Sequence, residues 1–121
     1  MYTVLRVYGN KSTLEAVGTE INLIIPGGYD GIDGTGSRFS VTLSDNDIWW
    51  EHQEEVKSHI TKIIPVIRKY NGIVNFEIDV GFFCDEHRGI SIYEIRFDHD
   101  LLRILCEHDL SLVFTIWGTA R

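Results

Sequence analysis

Two pairs of zinc-type donors stand in the second half of the chain. Cys84 and His87 have C-x-x-H spacing, and Cys106 and His108 have C-x-H spacing. Thiolate and imidazole suit zinc, and four such donors make a tetrahedral site, so these residues would define a small zinc domain or a metal-dependent enzyme. The spacing departs from the standard finger patterns, however. Both cysteines also fall where an apolar face is expected, Cys84 on a strand and Cys106 on a short helix, and buried free cysteine is common without metal. The expectation is no metal and no cofactor.

Other arrangements of reactive residues are thinner. His52 and His59 lie seven residues apart, two helical turns, whereas H-E-x-x-H brings its histidines together at i and i+4. Both are expected as half-buried rings at the edge of an apolar stripe. Asp98, His99 and Asp100 form a cluster that a helix N-cap explains without catalysis. Gly31 and Gly36 have the glycine spacing of a phosphate-binding loop, but Ser37 stands where lysine is needed and a strand follows instead of a helix. Asp30 and Asp33 lack the rest of an EF-hand. No G-x-S-x-G elbow is present. An enzyme is therefore not expected.

The acids say more. The net charge is −7. That disfavours nucleic acid and anionic membrane surfaces as partners, since both need clustered Lys and Arg, and it suits a basic protein. Five acids and no lysine or arginine fall between 45 and 55, and nine acids against three arginines fall between 77 and 109. The stretch SDNDIWWEHQEE (44–55) also holds two adjacent tryptophans. Adjacent helical residues point about 100° apart, so one buried face cannot easily take both rings. Trp49 aligns with Val56, Ile60, Ile63 and Ile67 and reads as core. Trp50 falls near the rim, where it either folds over the helix start or stands as a partly exposed aromatic ring among carboxylates, the kind of residue enriched at binding hot spots. The expected partner-binding residues are Trp50, Glu51 and Glu54 on that helix and Glu77 and Asp79 on a wet strand face. Tyr29, Asp30 and Asp33 join them from a glycine-rich loop.

The elements that must position these residues follow from periodicity. Residues 2–8 read as a strand, and Ser12 to Glu15 has capping-box spacing that opens a short helix with Leu14, Val17 and Ile21 inside. Five glycines between 26 and 37 predict a loop without a core of its own. RFSVTLS is an alternating strand. The longest helix is expected over 47–70, kinked or split at Pro65. Val74, Phe76, Ile78, Val80 and Phe82 share one face of the next strand, with Asn75, Glu77 and Asp79 on the other, wet face. ISIYEIRF is expected as an antiparallel partner, Asp98 as the cap of a helix, and LSLVFTIW as the closing strand.

The order is β-α-β-α-β-β-α-β, an α+β fold of one domain over 1–121. A mainly antiparallel sheet of about five strands has helices packed on one face. Two βα units followed by ββαβ also resemble ferredoxin-like folds in part. The 44% apolar and 24% charged content is that of a folded domain. No leader-like start, no apolar run of roughly 20 residues and only two cysteines lead to an expectation of a cytoplasmic protein.

The last third carries a resemblance. Asp98, Leu101, Leu102 and Leu105 form a D-x-x-L-L-x-x-L helix, and Ser111, Leu112, Phe114 and Ile116 form an S-L-x-F-x-I strand. This region resembles a family of small bacterial α+β domains of unknown function, and the shared residues are structural. In size, acidity and make-up the chain is also similar to immunity proteins of contact-dependent and polymorphic toxin systems. That likeness implies a protein-binding module that neutralises a cognate basic toxin domain by direct binding. The alternatives are the zinc site above and a small-ligand regulatory domain.

Overall fold

The structure, a computed structural model, describes residues 1–84 and 95–118. Three alternating strands form the centre of its sheet. β1 (Tyr2–Tyr8) buries Thr3, Leu5 and Val7 on one face. β3 (Arg38–Ser44) buries Phe39, Val41 and Leu43, and β4 (Asn75–Cys84) buries Phe76, Ile78 and Val80. Both pair antiparallel with β1, in a register that sets Leu5 between Val41 and Ile78. The apolar rows therefore run across the sheet as one surface.

Three helices cover that surface. α1 (Lys11–Ile24) contributes Leu14, Val17 and Ile21, α2 (Trp49–Tyr70) contributes Val56, Ile60, Ile63 and Ile67, and α3 (His99–Glu107) contributes Leu101 and Leu105. Burial of each such aliphatic side chain is worth about 1.5–3 kcal/mol relative to exposure, so this layer holds the fold together. Two further strands lie at the sides, β2 (Tyr29–Ile32) antiparallel to β3 and β5 (Ser111–Gly118) parallel to β4. The sheet order is β2-β3-β1-β4-β5. The α+β class, the mainly antiparallel five-stranded sheet and the helices on one face are those expected from the sequence. The ferredoxin-like part lies in the first six elements, β-α-β-β-α-β, to which α3 and β5 are added.

Local departures from expectation have local causes. The cap of α1 is Asn10, whose Oδ1 accepts from Thr13 N at 2.9 Å, and Ser12 donates to the same oxygen instead of capping. The glycine-rich stretch is not wholly loop. Tyr29 packs edge-on against Phe39, 5.1 Å between ring centres, and lies over Gly18, where a Cβ would come within 2.8 Å of the ring. A glycine inside α1 is thus matched to a ring from β2. α2 runs unbroken through Pro65, so the expected split into two pieces is absent. Pro65 and Thr61, whose carbonyl loses its usual N–H donor, are both exposed, which leaves that carbonyl accessible to water. The ISIYEIRF strand lies largely outside the described residues, and Ile95–Phe97 has no regular secondary structure.

Candidate protein-binding surface

The chain leaves the sheet at Ser44, opposite Thr3, turns through Asp45–Ile48 and enters α2 at Trp49. Asn46 organises this shoulder. Its backbone N–H donates to Ser44 Oγ at 3.2 Å, and its Oδ1 accepts from Ile48 N at 2.9 Å. Its Nδ2 donates to both Glu51 Oε2 and Glu55 Oε1, each at 3.0 Å. Ser44 Oγ donates to the other Glu55 oxygen at 2.7 Å. The Ser44 and Asn46 hydrogen bonds hold the Glu55 carboxyl below its ordinary range.

Beneath the turn lies His52, fully buried. Its Nδ1 is 2.9 Å from the Asn46 carbonyl, which can only accept, so Nδ1 carries the proton. Nε2 then accepts from the Thr3 hydroxyl at 2.6 Å. Burial pushes the His52 pKa down, in keeping with a neutral ring. The expected half-buried position is corrected here, because Thr3 from β1 and Trp49 from α2 close over the imidazole. His59 does sit half-buried, with Nδ1 2.7 Å from the Leu43 carbonyl.

The two tryptophans part as their angles require. Trp49 stacks on His52 at 5.4 Å and meets Phe82 and Phe97 at 6.0 and 5.2 Å. Its Nε1 donates to the Arg96 carbonyl at 2.6 Å. Further along α2, Gln53 accepts from Asp98 N at 2.7 Å, and Lys57 pairs with Asp98 at 2.5 Å and with Glu54 at 2.6 Å. These hydrogen bonds raise the Lys57 pKa and, with the Asp100 N–H, lower that of Asp98, which caps α3 as expected. Trp50 is 67% exposed and Ile48 49%. Asp45 and Asp47 beside them are exposed, and Asp47 has the Met1 amino group at 3.9 Å, a contact screened by water. The result is an apolar pair set among carboxylates on a braced turn.

The expected binding residues do not converge on one surface. Trp50, Glu51 and Glu54 share the shoulder, although Glu51 is tied to Asn46 and Glu54 to Lys57. Glu77 lies partly exposed on the sheet face away from the helices. Asp79 is not wet at all. It is fully buried, accepts from Thr115 Oγ1 at 2.8 Å, and has Oδ2 2.8 Å from the Arg6 guanidinium, a charge contact not aligned as a hydrogen bond. Neighbouring side chains from β1 and β5 bury it on a face that alternation alone marks as open. Tyr29 belongs to the packing against Phe39, and Asp30 is exposed on β2, separated from β4 by β3 and β1. Asp33 is spent inside its own turn. It accepts from Thr35 Oγ1 at 2.8 Å and Ser37 N at 3.1 Å, and these bonds, the Thr35 one first, lower its pKa.

Asn46, Asp45, Asp47 and Ile48 are not among the expected binding residues, although Asp45 and Asp47 belong to the acidic run of 45–55. Of the zinc donors, Cys106 is exposed instead of lying on the apolar side of α3, and His108 follows at the helix end. His87 and the Cys84 side chain lie outside the described residues. Among the described residues no three His, Cys, Asp or Glu side chains gather as metal ligands. Two open depressions of about 390 and 310 Å³ lie at the other end of the sheet, both bordered by Asn71, His108 and Asp109.

Fold and surface together define a small α+β domain with an acidic, aromatic-bearing shoulder at the start of its longest helix. No family model, curated protein or solved structure matches the chain. Among the described residues no helix is long and apolar enough to cross a membrane.

Proposed function

We propose that this protein is a protein-binding module whose α2 shoulder docks a basic protein domain, and that it acts as a bacterial immunity protein neutralising a cognate toxin. The observation that carries the reading is Trp50, 67% exposed beside Asp45 and Asp47 in a segment without lysine or arginine. A large exposed ring gives an anchor, and surrounding charge of one sign steers a partner of the opposite sign. Asp45, Asp47 and Glu54 supply the steering, and Trp50 with Ile48 supplies the apolar contact.

The test is co-purification with the product of the adjacent gene, followed by titration at two salt concentrations. The expected result is a stable complex with a basic protein domain. Changing Asp45, Asp47 and Glu54 together to lysine should weaken it by about tenfold or more and flatten its salt dependence. Unchanged affinity and salt slope in that triple variant would remove the steering role. A neighbour of metabolic function that does not bind would remove the immunity reading.

A further inference from the structure

The shoulder carries five carboxylates, yet they are not equivalent. Glu51 and Glu55 are both hydrogen-bonded to Asn46, and Glu55, although exposed, takes a second bond from Ser44. Asp45 and Asp47 are left facing solvent on the turn whose path Asn46 sets through Ile48 N and His52. Every polar group of Asn46 is engaged: N–H with Ser44, C=O with His52, Oδ1 with Ile48, and both Nδ2 protons with the two glutamates. A polar residue that binds five neighbours this way holds a loop in one conformation.

We propose that Asn46 is the positioning residue of the docking surface: it tethers Glu51 and Glu55 by hydrogen bonds and fixes Asp45, Asp47, Ile48 and Trp50 in a presented arrangement. The proposal rests on the reading of the shoulder as a site for a basic partner. Its consequence runs against simple electrostatics. Asn46→Asp keeps the size and the Oδ1 acceptor but replaces the two N–H donors with a carboxylate oxygen facing Glu51 and Glu55. The three like charges drive the turn apart, so a cation should bind less well although the protein has become more negative. A surface acting by charge alone would bind it better.

The probe is a hexa-arginine peptide titrated at low salt and followed by backbone amide NMR shifts and by Trp50 fluorescence. The wild type should show shifts concentrated on 45–50. Asn46→Asp should weaken binding by about fivefold and spread the shifts over other acidic surfaces. Asn46→Ala, which leaves the net charge at −7, should weaken it similarly while far-UV circular dichroism stays unchanged. Tighter binding by Asn46→Asp, or wild-type affinity in Asn46→Ala, overturns the positioning role and leaves the docking reading intact. If the folded Asn46→Asp chain cannot be prepared, Asn46→Ala decides alone. If the wild type shows no localised shifts at 45–50, the docking reading itself falls.

Discussion

Asp47 and Asp79 are the same side chain in opposite situations. Asp47 stands 94% exposed at the shoulder, with a distant amino group for company, whereas Asp79 is wholly buried between Arg6 and Thr115. One carboxylate is available to a partner, and the other holds three strands together, β1 through Arg6 and β5 through Thr115 on either side of β4. The difference teaches that an acid's place in a pattern gives its face, while its neighbours across the sheet decide whether that face is wet.

The largest expected effect tests the buried member. Asp79→Ala leaves the Arg6 charge without its partner and should destabilise the fold by about 3 kcal/mol, the lower end for such pairs because the guanidinium can turn toward water. A urea melt reads this as a lower midpoint. Asp47→Ala should leave the midpoint where it is, and equal losses at the two positions would break the contrast.

The tryptophans sharpen the same comparison at a slightly smaller scale. Trp49→Ala removes a half-buried ring from the His52–Phe82–Phe97 cluster and should lower stability by about 2–3 kcal/mol. Trp50→Ala should stay within about 0.5 kcal/mol of wild type while weakening the complex. Thermal melts and binding titrations of both variants separate core from surface. Stability loss at Trp50 with binding untouched would place it in the fold.

Acid should reach the support before the sheet. Burial lowers the His52 pKa, so the unfolded chain takes up a proton near the ordinary histidine value of 6.5 that the folded ring resists. Stability is therefore fully present above that value and falls as pH drops from about 7 toward 5. His52→Gln should remove this part of the slope, measured as urea midpoint against pH. Asp98, lowered by Lys57 and the Asp100 N–H, acts in a separate window: its contribution holds above the ordinary aspartate value of 3.8 and is lost only as pH falls through its lower folded value. A wild-type midpoint flat between pH 7 and 5 would contradict the neutral, buried His52.

Much of the frame was legible because it depends on local period. Alternation placed Leu5, Val41 and Ile78 on one face, the 3/4 spacing placed Val56, Ile60, Ile63 and Ile67 inside α2, and adjacency alone separated Trp49 from Trp50. Asp98 could be read as a cap because a cap reaches only two or three residues along the chain. The site was legible in its centre and not at its edges. Trp50, Glu51 and Glu54 share a shoulder, but Asp79, Tyr29 and Asp33 are occupied by partners that no spacing reveals. Arg6 meets Asp79, 73 positions further along the chain, only because β1 and β4 lie side by side. Pro65 inside α2 shows the reverse case, a local rule overridden because the stripe around it is buried on both sides of the proline.

By itself, then, the sequence determined the three central strands and the three helices, the apolar faces they bury, and that the chain is acidic with an aromatic pair at the head of its longest helix. Those features depend on neighbours within a few residues, whose geometry backbone dihedrals and side-chain period dictate. The tertiary structure decided which acids are free. Thr3 had to arrive from β1 to complete the His52 bonds under Asn46, and Arg6 and Thr115 had to arrive from two strands to bury Asp79. Contacts between distant segments set the desolvation and hydrogen bonding of each carboxylate, and these decide whether it serves the fold or a partner.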